Sequence, residues 1–284
     1  MSNEAELPGD GEDMGDNDRN DELLDEGLAR QEIPEARLPD HVPPLPSDPQ
    51  DDAGTLEPAD QVPSVAPAIT EGTAWAHFVP VLYLMALLML TSIGAGIAMR
   101  VTEDESPFLE AVMGGVDALL ILIFVCREWR AIRPALVQRV ATNSWLFTAA
   151  LMAAMAGFME LYFFLGKYAF ELYNSLDGFR NHGWPVWSAI VMIVIGPAIF
   201  EELAFRGFLL ARLVPLMGKR DALLLQATLF SIMHLSVAIL LSHFVMGLCF
   251  GLLRLRSGSL LPGMLAHGLW NLAVLIQDGL LDGW

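Results

Sequence analysis

Cysteine and basic residues are both scarce in this 284-residue chain, and each shortage excludes a class of protein. The only two cysteines, Cys126 and Cys249, lie inside apolar runs, so neither a disulfide framework nor a cysteine-based zinc site is expected. Lys and Arg number 16 against 34 Asp and Glu, which gives a formal net charge of −18. A chain this acidic, without a basic stripe, is not expected to bind nucleic acid.

The acidic residues are concentrated in the first 70 residues. This segment holds 19 of the 34 acidic residues, only three basic residues and ten of the 17 prolines. Low hydrophobicity combined with high net charge cannot offset the entropy that is lost when a chain becomes ordered. We therefore predict a disordered acidic tail over residues 1–70. The tail has no positively charged segment followed by an apolar stretch, so no cleavable signal peptide is expected.

The rest of the chain consists of long apolar runs with few charges. Residues 77–99 form 23 consecutive positions without a formal charge, which is enough to cross about 30 Å of hydrocarbon as a helix. Residues 222–253 form 32 such positions, and one straight helix of that length would exceed the hydrocarbon thickness. The other apolar runs are residues 107–126, 144–166, 186–211 and 259–276.

The basic residues between these runs indicate how the chain crosses the membrane. Four arginines between residues 127 and 139 place that loop in the cytoplasm. If residues 222–253 cross twice, with a bend near residues 234–236, then Arg254 and Arg256 also face the cytoplasm. We therefore predict an all-α, polytopic transmembrane helix bundle of about seven spans, or eight, with the acidic tail in the cytoplasm. Within it, the GxxxG pattern of Gly247 and Gly251 predicts a close-packing face, inside the bundle or between chains.

Ionisable residues inside the apolar runs are candidates for a functional site, because each costs roughly 2.5–3.5 kcal/mol to insert. Glu202 and Arg206 are four residues apart, so on a helix they share a face and can pair. Glu201 lies about 100° further round the helix and cannot share that geometry. The pattern favours one paired carboxylate and one free carboxylate. The alternative is that both acids only neutralise Arg206 and a neighbouring helix.

Two histidine segments follow on later runs. His234 ends the sequence Phe-Ser-Ile-Met-His, and His267 and Asn271 are four residues apart on one face. Counted from the cytoplasmic loops, Glu201, His234 and His267 all lie near the bilayer middle, where they are expected to share one cavity.

This set of side chains is typical of water attack on a carbonyl group. A carboxylate in an apolar site can act as a general base for water, and an amide can stabilise an oxyanion. Alternatively, two histidines and one glutamate match the ligand count of hydrolytic zinc sites.

The patterns Glu-Glu-x-x-x-Arg, Phe-x-x-x-His and His-x-x-x-Asn occur in this order on successive membrane helices. They resemble the motifs of the CPBP family, which comprises type II CAAX prenyl endopeptidases and Abi-type bacteriocin-processing or immunity proteins. The resemblance covers residues 186–276. It implies that Glu201 is the base that activates water and that Asn271 helps to hold the oxyanion. The implied catalytic set is Glu201, Glu202, Arg206, His234, His267 and Asn271.

The resemblance also implies a cofactor, a substrate and a location. Either a divalent metal such as zinc is held by Glu201, His234 and His267, or the glutamate mechanism is metal-independent. The substrate would be a membrane-associated protein or peptide, including prenylated CAAX-type chains, cleaved in a bacterial inner membrane. On this basis residues 71–180 are N-terminal transmembrane helices and residues 181–284 are the catalytic region.

Two other functions are compatible with the same polar residues. A non-catalytic immunity or scaffold protein of the same fold would use them structurally and the tail as a docking arm. An ion or solute transporter would use them as a proton relay, although the sequence shows no inverted repeat or discontinuous helix pair. Asp117 and His243 match none of the motifs, and we expect pairing or hydrogen bonding within the bundle for the first and packing for the second.

Overall fold

The computed structural model describes residues 70–102, 106–166 and 174–282, and in these ranges the chain contains helices and turns but no strand. Helices are the expected solution for such apolar segments, because a helix satisfies its backbone hydrogen bonds internally where no water is present. The fold class predicted from the sequence is therefore confirmed. The predicted tail lies outside the described residues, except for Thr70.

The described part contains ten α-helices, two π-helical segments and one 3-10 turn. The α-helices are α1 (Glu71–Thr102), α2 (Pro107–Arg127), α3 (Trp129–Val137), α4 (Thr142–Gly166), α5 (Asp177–Asn181), α6 (Val186–Ala189), α7 (Gly196–Glu201), α8 (Leu210–Ile232), α9 (Leu240–Ser257) and α10 (Leu261–Gln277). The first π segment is Ile190–Ile195, the second is Glu202–Leu209, and the 3-10 turn is Val237–Ile239.

Five helical stretches of the described chain are long and apolar enough to cross a membrane: α1, α2, α4, Val186–Ile232 and Val237–Ser257. The longest has 47 residues and is interrupted at Gly218, whose φ of 81° and ψ of 170° are accessible to glycine. Helix α10 has 17 residues, slightly fewer than the roughly 20 that a perpendicular crossing needs. The structure thus supports the predicted number of about seven spans only roughly.

The bend predicted near residues 234–236 separates α8 from α9. Helix α8 ends at Ile232, and Leu235 in the connection has a φ of 49°, a region that residues other than glycine rarely occupy. The two helices then pack closely. A Cβ atom on Gly247 would lie 2.8 Å from the Cα of Ala227, and one on Gly251 would lie 2.7 Å from Oε1 of Gln226. The GxxxG face therefore joins helices within the bundle.

The second π segment lies at the centre of the bundle, where all eight of its residues are buried. It packs against α2, α8 and α9. The rings of Phe208 and of Phe124 from α2 form a T-shaped contact, with 5.5 Å between ring centroids. Helix segments of the π type are frequent at functional sites. Here the segment carries Glu202 and Arg206 into the core.

Candidate active site

Glu202 and Arg206 form a completely buried ion pair. Nη1 of Arg206 donates to Oε1 of Glu202 at 2.9 Å, and both side chains are 0% exposed. The guanidinium also lies over the rings of Phe230 and Phe250, 4.4 and 5.3 Å from their centroids. A buried charge requires such partners because desolvation is costly. The pair therefore ties the second π segment to α8 and α9.

His267 reaches the same carboxylate from α10. Its Nδ1 lies 3.1 Å from Oε1 of Glu202, and its ring stacks on Phe250 at a centroid distance of 5.2 Å. Since an ionised carboxylate only accepts hydrogen bonds, we assign the proton to Nδ1. The opposite nitrogen, Nε2, lies 3.9 Å from Oε2 of Glu201, which is beyond hydrogen-bond range.

The close approach of α10 to Glu202 depends on Gly263. A Cβ atom at this position would lie 2.8 Å from Oε2 of Glu202, well inside van der Waals contact. Any larger residue would displace the carboxylate or the helix. Gly263 therefore sets the distance at which His267 meets Glu202.

Glu201 has a different environment from its neighbour Glu202. Its side chain is 30% exposed and lines a cavity of about 470 Å³. Its Oε2 has no hydrogen-bond partner within the described part of the chain. The structure thus contains one paired and one free carboxylate, which is the arrangement that the spacing of the two acids favours.

The cavity has walls from two parts of the sequence. Residues of α1 and α2 line it together with residues between 191 and 205 and with His234. Helix α2 contributes Glu110 and Asp117, and the hydroxyl of Thr91 donates to Oδ1 of Asp117 at 2.5 Å. Asp117 is therefore hydrogen-bonded within the bundle, as expected, and also shares the cavity with Glu201. In the sequence, Glu110 and Asp117 are recognisable as candidates for the cavity only because each is a carboxylate inside an apolar run.

His234 lines the cavity and also caps the end of α8. The last carbonyls of a helix lack partners within the helix. Here the carbonyl oxygens of Leu229, Ser231 and Ile232 accept hydrogen bonds from backbone N–H groups. The carbonyl oxygen of Phe230 accepts one from the ring of His234. Its Nδ1 lies 2.8 Å from the carbonyl oxygen of Phe230. Because a carbonyl accepts, Nδ1 carries the proton and Nε2 is left with a free lone pair.

Asn271 holds the backbone of the first π segment. Its Nδ2 donates to the carbonyl oxygen of Ile193 at 2.8 Å. A π segment shifts the backbone hydrogen-bond pattern, and Asn271 satisfies the carbonyl of a residue that lines the cavity. This partner is a main-chain atom distant in sequence, which the spacing of the motif does not reveal. The predicted oxyanion role of Asn271 stays a prediction.

The two histidines predicted to bind zinc are engaged in other contacts in this structure. Within residues 70–102, 106–166 and 174–282, no three His, Cys, Asp or Glu side chains are grouped so that they could hold a metal ion. Nδ1 of His267 is bonded to Glu202 and Nδ1 of His234 to Phe230. Metal binding by Glu201, His234 and His267 therefore stays a prediction, and no step below depends on it.

Comparison with known proteins gives a family-model match for the C-terminal part of the chain. Residues 182–273 match the family model described as Type II CAAX prenyl endopeptidase Rce1-like. The match contains all six predicted site residues and confirms the resemblance that the three motifs carry. At the family level it supports a CAAX-type intramembrane protease, and with the apolar helices it indicates an integral membrane protein. No curated protein and no solved structure matches the chain.

Proposed function

We propose that this membrane protein is an intramembrane endopeptidase that hydrolyses a peptide bond of a membrane-associated substrate with Glu201 as the base. The observation that carries this proposal is the difference between two adjacent carboxylates. Glu202 is completely buried and binds Arg206 and His267 through Oε1, whereas the Glu201 side chain is 30% exposed, lines the cavity and has no hydrogen-bond partner in the described part of the chain. A free carboxylate in a largely apolar cavity is suited to take a proton from water.

In the proposed reaction, Glu201 removes a proton from a water molecule as the water oxygen attacks the scissile carbonyl carbon. Glu201 then returns that proton to the leaving nitrogen as the C–N bond breaks. His234 lines the same cavity, and its free Nε2 accepts a hydrogen bond from the second O–H of the water and so orients it. Asn271 can stabilise the oxyanion only through its second N–H, because the first is bonded to Ile193.

We assign a positioning role around Glu201 to three residues: Glu202, Arg206 and His267. The ion pair keeps the two carboxylates in distinct roles, since Arg206 neutralises Glu202 and leaves Glu201 available. His267, fixed through Nδ1, keeps its proton-accepting Nε2 3.9 Å from Glu201. The Glu202–Arg206 ion pair is therefore proposed to orient the site, and His267 is proposed to act next to Glu201.

We propose a membrane-associated protein or peptide as the substrate, including prenylated CAAX-type chains. The cavity volume of about 470 Å³ lies within the range of ligand sites. The distribution of loop arginines supports a cytoplasmic N-terminus. We propose a bacterial inner membrane as the location, on the basis of the family resemblance.

The test is cleavage of membrane-anchored fluorogenic peptides, with and without a prenyl group, by the reconstituted protein. Glu201→Gln is expected to lower kcat by roughly 10²–10⁴-fold without changing the thermal unfolding temperature. Glu160→Gln is the matched control, because Glu160 lies on α4 and bonds to Gln277. Repeating the assay in a chelator separates the metal-independent glutamate mechanism, which would retain activity, from metal binding by Glu201, His234 and His267, which would lose it. Undiminished cleavage by Glu201→Gln would refute the proposal.

A further inference from the structure

His243, which we expected to serve only in packing, lies directly against His234. Their ring centroids are 4.0 Å apart, and the ring planes are inclined by 48°. His243 lies in the first turn of α9, whereas His234 follows the end of α8. The contact therefore joins the two sides of the bend. Phe230 completes the cluster, with its centroid 5.0 Å from that of His234 and 6.0 Å from that of His243.

Both imidazoles are anchored in the same way. Nδ1 of His234 lies 2.8 Å from the carbonyl oxygen of Phe230, and Nδ1 of His243 lies 3.0 Å from that of Ile239. A carbonyl accepts, so each Nδ1 donates and each Nε2 keeps its lone pair. One hydrogen bond at the edge of a ring still allows that ring to pivot. The orientation of His234 is therefore determined by the rings that it contacts.

Phe230 and His243 supply those contacts. The rings of Phe230 and His234 form a T-shaped contact, with an interplanar angle of 67°. The His243 ring is closer to the His234 ring than Phe230 is, with centroid distances of 4.0 and 5.0 Å. Among the described residues that line the cavity, His234 is present and His243 is not. His243 therefore contacts the cavity lining through His234, and the spectroscopic measurement below separates this route from its contact with Phe230.

We propose that His243 is a positioning residue that holds the His234 ring with Nε2 directed into the Glu201 cavity. This inference rests on the proposed function and adds a residue that the three motifs do not contain. It requires only the ring of His243 and not its nitrogen atoms. Loss of the ring is expected to lower kcat by about three- to tenfold, the range that aromatic ring contacts account for.

The experiment compares His243→Ala with His243→Phe in the full-length reconstituted protein. The alanine variant is expected to lose kcat with an unchanged KM. The phenylalanine variant keeps a ring against His234 and is expected to retain most of the activity. His182→Ala is the matched control, because His182 makes the same contact to a carbonyl four residues earlier, at 2.8 Å, on an exposed loop. Equal kcat values for His243→Ala and wild type would overturn the inference.

A spectroscopic measurement gives a second answer that does not depend on activity. In protein labelled with ¹⁵N-histidine, the ring resonance of His234 is expected to broaden or split in His243→Ala and to remain single in His243→Phe. An unchanged single resonance in the alanine variant would also overturn the inference. If Glu201→Gln retains full activity, the proposed function fails instead. An inactive Glu201→Gln with a normal His243→Ala refutes only the role of His243.

Discussion

Nδ1 of His267 donates to Oε1 of Glu202 at 3.1 Å, and the same oxygen accepts Nη1 of Arg206 at 2.9 Å. One atom thus connects the second π segment to α10, which carry the first and third sequence motifs. Removing either donor is expected to disturb the other, because both depend on the position of a single carboxylate oxygen.

Arg206→Met is expected to destabilise the protein by about 3–5 kcal/mol, because it leaves the buried charge of Glu202 without its cation. The measurement is thermal unfolding in detergent. The double variant Glu202→Gln/Arg206→Met removes both charges and is expected to recover much of the loss. An unfolding temperature that is lower in the double variant than in Arg206→Met would contradict this account of the pair.

Gly263→Ala is expected to lower both stability and kcat, since its Cβ would lie 2.8 Å from Oε2 of Glu202 and would displace the carboxylate. Gly268→Ala on the same helix is the control, because its Cβ would meet Ala198 at 3.5 Å, an ordinary contact. Thermal unfolding and cleavage are measured for both variants. Equal behaviour of the two would show that the short contact does not matter.

Gly247→Ala is expected to cost about 1–3 kcal/mol, because the added methyl group would overlap Ala227 and force α8 and α9 apart. Gly157→Ala on α4 has no atom within 4 Å of its Cβ and is expected to leave stability unchanged. The measurement is the unfolding temperature of each variant in the same detergent, compared with that of the wild type. A similar decrease in both would argue against the close helix contact as the cause.

Asn271→Ala is expected to lower the free energy of unfolding by about 0.5–1.5 kcal/mol in addition to lowering kcat. The reason is that the carbonyl of Ile193 loses its donor and the first π segment is released at the cavity wall. Gln277→Ala is the control variant. Gln277 lies on the same helix, and its side-chain amide donates a hydrogen bond to Glu160 at an exposed position. A loss of kcat without any loss of stability would indicate that Asn271 acts on the oxyanion alone.

The sequence was sufficient to predict the helices and the bend because both depend on local properties. Uncharged runs determine the helices, and the excess length of residues 222–253 requires a turn, which lies between Ile232 and Val237. The ion pair of Glu202 and Arg206 follows from their spacing, which brings the two side chains together even in a π segment. The partner of His267 could not be predicted in this way, because it lies 65 residues away.

Other parts of the site depend on tertiary contacts that periodicity does not encode. The π segments shift the hydrogen-bond pattern without a distinct sequence signature, so the carbonyl of Ile193 was not expected to bind Asn271. Asp117 was singled out only as a carboxylate in an apolar run. Its place in the same cavity as Glu201 arises from the packing of α2 against the segments that follow residue 190.

The two walls of the cavity have separate origins in the chain. The proposed base Glu201 and His234 lie inside the 182–273 match, whereas the lining residues of α1 and α2 lie outside it. Replacing the lining residues of α1 and α2 is therefore expected to change which substrate is accepted while the proposed base stays in place.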